Sequence, residues 1–172
     1  MIPIFKPSVG EEELNEVRDS FNSRWIGLGP KTKRLEEEFK KYTGAVEAIS
    51  LNSCTAALHL ALLSVGVKEG DEVLISSMTF ASTGHVVLFC GAKPILVDVD
   101  RETLLMDVED MKKKINPSTK AIIPVHYGGH ICDMDAIIKV ARGENLAVME
   151  DAANCTGAEY KSKKVGNLDS DF

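Results

Sequence analysis

The chain has 172 residues, 44% of them hydrophobic and 27% charged, with a formal net charge of −6. That composition is globular rather than disordered, the length suits one domain with its own core, and the acidic balance argues against a nucleic-acid binder. No apolar run approaches the roughly 20 residues a membrane span needs, and Met1-Ile2-Pro3-Ile4-Phe5-Lys6-Pro7 has no basic region leading into a long apolar stretch, so neither a membrane anchor nor a signal peptide is expected.

Taken in chain order, Glu11–Ser23 sets Leu14, Val17 and Phe21 at helical spacing, with Ser8 as the expected cap. Trp25-Ile26-Gly27-Leu28-Gly29-Pro30 breaks that pattern. A second, highly charged helix is expected over Lys31–Tyr42, ended by Gly44. From there the chain alternates. Short apolar runs at Val46–Ser50, Glu72–Ser76, Pro94–Asp98, Ala121–Val125 and Leu146–Met149 read as strands. Helical stretches at Thr55–Val65, Phe80–Cys90, Asp107–Ile115 and Met134–Arg142 separate them. Strands alternating with helices predict an α/β fold, a mainly parallel sheet flanked by helices on both faces. Gly157–Tyr160 and Lys163–Gly166 flank a turn and read as a hairpin.

The four cysteines, Cys54, Cys90, Cys132 and Cys155, include no C-x-x-C pair. Two disulfides are arithmetically open, but a chain of this size and apolarity does not need them, and reduced thiols in a cytoplasmic protein are expected. His126-x-x-x-His130-x-Cys132-Asp133 matches no strong metal spacing, and no metal is expected.

In an open parallel sheet, ligands bind beyond the carboxyl ends of the strands, so the residues there carry the functional reading. Asn52-Ser53-Cys54-Thr55 opens a helix with small and hydroxylic residues, either an anion site of backbone N–H groups and hydroxyls or a plain N-cap. Phe80 follows the next strand, placed either to lie over a ring ligand or to pack inward. His126-Tyr127-Gly128-Gly129-His130 forms a loop after another. Glu150 and Asp151 end an apolar run, and strand alternation turns them to opposite faces, which speaks against a glycosidase-type dyad. A phosphate cradle, a stacking aromatic and a carboxylate facing one crevice together describe a site for a phosphorylated cationic ring, and pyridoxal phosphate fits it.

With those segments in order, the sequence resembles the N-terminal half of the DegT–StrS family of sugar aminotransferases, which are fold-type-I pyridoxal-phosphate enzymes. The matching pieces are Trp25–Pro30, Asn52–Ala61, Gly70–Val73, Met78–Thr83, Pro124–Gly129, Cys132–Asp135 and Glu150–Ala153. The resemblance implies that Ser53, Cys54 and Thr55 hold the cofactor phosphate, Cys54 standing where many members have Gly. It implies that Phe80 stacks on the ring, that Asp151 is the catalytic partner of the ring nitrogen, and that Asn154 lies near the ring. It further implies transfer of an amino group, commonly from glutamate, to a keto group of a nucleotide-linked sugar, and a homodimer for the full-length protein.

In the family the Schiff-base lysine follows in a Ser-Phe-x-x-x-Lys segment. Residues 1–172 are accordingly expected to be the N-terminal part of the cofactor-binding large domain, without that segment or the C-terminal domain and inactive alone. Two alternatives are a non-catalytic module derived from the fold and a dehydratase relative with His for the lysine.

Overall fold

In a computed structural model of the chain, residues 6–172 are described. Met1–Phe5, on which most of the expectation of no signal peptide rests, lies outside them. The elements, in order, are α1 (Glu11–Ser23), α2 (Pro30–Thr43), α3 (Cys54–Ser64), β1 (Glu72–Ser76), α4 (Ala81–Phe89), β2 (Lys93–Val97), α5 (Val108–Lys114), β3 (Thr119–Ile123), α6 (Met134–Gly143) and β4 (Ala147–Val148). A hairpin of β5 (Glu159–Tyr160) and β6 (Lys163–Lys164) follows. Among the described residues, no helix is long and apolar enough to cross a membrane.

Four strands form one parallel sheet in the order β2-β1-β3-β4. Their alternation divides the core. Leu74, Val97, Ile122 and Val148 face one layer, where Met111 of α5 and Met134, Ile137 and Ala141 of α6 cover them. Val73, Ile75, Ala121, Ile123 and Met149 face the other, against Leu58, Ala61 and Leu62 of α3 and Val86 and Val87 of α4. A period of two along each strand thus serves two helical layers. The last residues lie along β4, where Asp171 N–H donates to Val148 O at 2.9 Å and Glu150 N–H to Phe172 O at 2.8 Å.

Two expectations are corrected. Val46–Ser50 is not a strand. Among the described residues it pairs with no strand, and Val46 and Ile49 are 87% and 80% exposed. A strand needs a ladder partner; this segment is instead tied to α2, Ser50 donating its N–H and hydroxyl to Glu36 at 2.8 and 2.9 Å. Ser8 is not the cap of α1. That position falls to Gly10, whose N–H is taken by the Glu13 carboxylate at 2.6 Å. Gly44 ends α2 as expected, in the left-handed region at φ 81°.

Candidate functional site

The strand end beyond β4 turns its two carboxylates to opposite sides, as the alternation requires. Asp151 pairs with Val125 in a parallel bridge, fixed by Asp151 N–H to Pro124 O at 2.9 Å and His126 N–H to Asp151 O at 3.1 Å. Glu150 then points toward the α6 layer and Asp151 toward the α3–α4 layer.

On the first side, the buried His126 ring meets Glu150 at 2.9 Å through Nε2. Its Nδ1 accepts the Cys132 N–H at 3.4 Å, which makes Nε2 the protonated nitrogen and the donor to the carboxylate. The second Glu150 oxygen accepts from the Ser170 hydroxyl. Both ring nitrogens are engaged, so His126 is a structural residue of the core. Among the described residues, no group of three or more His, Cys, Asp or Glu side chains is arranged to hold a metal ion. All four cysteines are free.

On the second side, Asp151 is 5% exposed. Its Oδ2 accepts from the Thr83 hydroxyl at 2.7 Å, and Thr83 in turn contacts the Thr79 hydroxyl at 2.7 Å. Its Oδ1 faces the Cys54 thiol at 3.8 Å and the Ala153 N–H at 3.4 Å. Asp151 is therefore the junction between the start of α3 and the first turn of α4.

At α3, Ser53 is the N-cap, its hydroxyl accepting from Ala56 N–H at 3.1 Å. That engagement makes Ser53 a cap in its own right. Cys54 and Thr55 carry the next amides of the first turn, which have no intrahelical acceptor and, with the helix dipole, favour an anion. Burial and the nearby Asp151 push the Cys54 thiol up to about 11, so it is neutral at pH 7. At α4, Phe80 is the N-cap and is 78% exposed. The inward-packing reading of this ring is not what the chain adopts; the ring stands free at the strand-end surface. Asn154 is exposed, and its backbone approaches Gly129, where a Cβ would come within 3.4 Å of Asn154 O. That brings it beside the Tyr127–Gly129 turn, and among the described residues its side chain makes no hydrogen bond to Asp151.

Thr83 and Thr79 are the functional candidates that sequence reading passed over. Both lie in the quoted Met78–Thr83 segment, and their signal was a pair of hydroxyls one helical turn apart just after a strand. A cleft of about 770 Å3 lies elsewhere, between α1, the Trp25–Pro30 loop and the start of α2. It holds none of these residues.

The donor set suits a phosphorylated pyridine: free amides at a helix start for the phosphate, a buried carboxylate with one weakly engaged oxygen for a protonated ring nitrogen, and an exposed aromatic beside them. Comparison with known proteins points to the same cofactor. The profile of the DegT/DnrJ/EryC1/StrS aminotransferase family matches residues 7–171. The uncharacterized protein MJ1066 of Methanocaldococcus jannaschii is 53% identical over 97% of this chain and 43% of its own length. The spore coat polysaccharide biosynthesis protein SpsC of Bacillus subtilis is 43% identical over the same shares. Among solved structures, Spr1654 of Streptococcus pneumoniae in its PLP form, named as a sugar aminotransferase, superposes with a TM-score of 0.94 at 35% identity, covering 97% of this chain and 46% of that one. 3-Amino-5-hydroxybenzoic acid synthase gives 0.91 at 35% identity, over 95% and 43%. The chain spans less than half the length of these relatives.

Proposed function

The chain belongs to the DegT/DnrJ/EryC1/StrS aminotransferase family, and from that premise we propose that it forms the cofactor-holding part of a pyridoxal-phosphate-dependent sugar aminotransferase. The family's solved relatives include PLP and PMP forms. The observation that carries the proposal is Asp151: a buried carboxylate at a strand end, bonded on one oxygen by α4 and only loosely touched on the other by α3.

In this reading Cys54 and Thr55 bind the phosphate through backbone N–H groups, and Ser53 holds their turn open by capping it. Phe80 lies over the ring, Asp151 keeps the ring nitrogen protonated, and Asn154 lines the ring's surroundings. Bound there, the cofactor supplies an electron sink for charge developing at the substrate carbon. The substrate is a keto group on a nucleotide-linked sugar, glutamate is the amino donor, and the full-length protein is a cytoplasmic homodimer. The Schiff-base lysine belongs to sequence outside residues 1–172, which form the N-terminal part of the large domain. The family assignment and the relatives' greater length support that division.

The test is formation of 2-oxoglutarate from glutamate, dependent on an added nucleotide-linked keto sugar, by the gene product that carries this chain, loaded with pyridoxal phosphate. Asp151→Asn is expected to cut turnover by about 100-fold or more, the scale of losing one preorganised electrostatic partner. Turnover without the sugar dependence, or at full rate in the variant, removes the reading.

A further inference from the structure

We propose that Thr83 is the positioning residue of this site: its hydroxyl holds Asp151 Oδ2 so that Oδ1 is the oxygen presented to a protonated ring nitrogen. The inference rests on the reading that Asp151 meets that nitrogen.

The two oxygens of Asp151 are held very unequally. Oδ2 receives a 2.7 Å bond from Thr83, which is fully buried. Among the described residues, Oδ1 receives only a thiol at 3.8 Å and an amide at 3.4 Å, both long and weak. The torsion that swings an aspartate carboxyl is broad and nearly two-fold, so an untethered carboxylate exchanges its oxygens readily. One charge-assisted bond on Oδ2 stops that exchange and leaves Oδ1 as the acceptor for an incoming N–H.

The proton direction follows from the partners. An ionised carboxylate only accepts, so the single Thr83 proton is committed to Asp151. The 2.7 Å contact between Thr79 and Thr83 must then run from the Thr79 hydroxyl to the Thr83 oxygen. A buried helical threonine commonly returns its hydroxyl to the carbonyl three or four residues back. Thr83 gives that up for Asp151. Its N–H donates to Phe80 O at 3.1 Å, so one residue ties the ring-nitrogen partner to the turn that carries the exposed aromatic.

The experiment titrates the whole gene product that carries this chain, unaltered or with a single substitution in the chain, with pyridoxamine phosphate carrying 15N in the ring. This compound lacks the aldehyde that would react with surface lysines, and the ring-nitrogen resonance reports its protonation directly. In the unaltered chain the bound ring nitrogen is expected to stay protonated to higher pH than in the free compound. Thr83→Val keeps the shape and removes the hydroxyl. It is expected to weaken binding about fivefold, the scale of one hydrogen bond, and to lower the pH at which the ring nitrogen loses its proton. Thr83→Ser is expected to restore both, which a purely structural role in packing would not require.

Asp151→Asn separates the two levels. If it leaves the ring nitrogen as in the unaltered chain, or if that chain binds nothing, the Asp151 reading falls and this inference with it. If Asp151→Asn abolishes the raised protonation while Thr83→Val matches the unaltered chain, the inference alone is overturned. Failure of Thr83→Ser to restore the signal also overturns it. Thr79→Val leaves Thr83 in place and removes the donor behind it, so it serves if Thr83→Val does not fold. A smaller fall in the protonation midpoint is expected there, and an unchanged midpoint contradicts the relay.

Discussion

Cys54 shows how much one side chain reports on the site. The residue is exposed, but its sulfur is turned toward Asp151, and the thiol is pushed up to about 11 from an ordinary 9.0 by burial first and by the Asp151 charge and hydrogen bond after it. The thiolate is the reactive form, so alkylation is slow while the group stays protonated. Iodoacetamide labelling of Cys54, mapped by mass spectrometry, is expected to be slow at pH 8 and to climb toward pH 11. Asp151→Asn removes the charge that resists ionisation and is expected to speed labelling at pH 8 to 9. Equal rates in the two chains would mean that the carboxylate does not face the thiol. The opposed directions of Glu150 and Asp151 were legible in the sequence, because strand alternation needs only the count of residues. Thr83 was not, because a hydroxyl's task depends on which strand end its helix lies against, and that is a matter of tertiary packing.

At the scale of elements, the alternating part of the chain was legible almost throughout. Glu72–Ser76 is the strand its apolar run announced, and the other three strands and four helices fall within about two residues of the expected bounds. The hairpin is also present, with Lys161 and Ser162 both at positive φ in its turn. Val46–Ser50 failed because an apolar run states what a segment would bury and not whether a neighbour is there to pair with it. The cap of α1 failed because a glutamate three residues into the helix took the Gly10 N–H without any side chain at the cap itself. The cap of α3 is a stronger case, since Ser53 both starts the helix and shapes the proposed anion site. Ser53→Ala is expected to cost about 1 kcal/mol of stability in urea denaturation, the usual value for a lost N-cap hydroxyl. A change indistinguishable from zero would show that the Ser53–Ala56 bond does not order the turn.

The whole molecule combines a double-sided core with an outer surface rich in apolar side chains. Phe21, Ile26, Leu28 and Phe89 are all more than 60% exposed. The core also sets a pH limit. Burial pushes the Cys132 thiol up to about 11, as for Cys54, from an ordinary 9.0. Unfolding releases these thiols to ionise near 9, so the native state holds more protons between the two values. Stability from this source is complete below pH 9 and is lost as the pH rises toward 11. The melting temperature is expected to fall over that window, and to fall less steeply in Cys132→Ala; an unchanged slope in the variant would assign the loss to other groups.

The site itself is tested most directly by following the backbone amides of this segment in the 15N-labelled gene product that carries it while pyridoxamine phosphate is added. If the start of α3, the start of α4 and the bridge at Asp151 beyond β4 form one receptor for a phosphorylated pyridine, the resonances of Cys54, Thr55, Phe80 and Asp151 shift together and saturate with a single midpoint. Shifts scattered over the lysine-bearing surface, or none at these four residues, would contradict it.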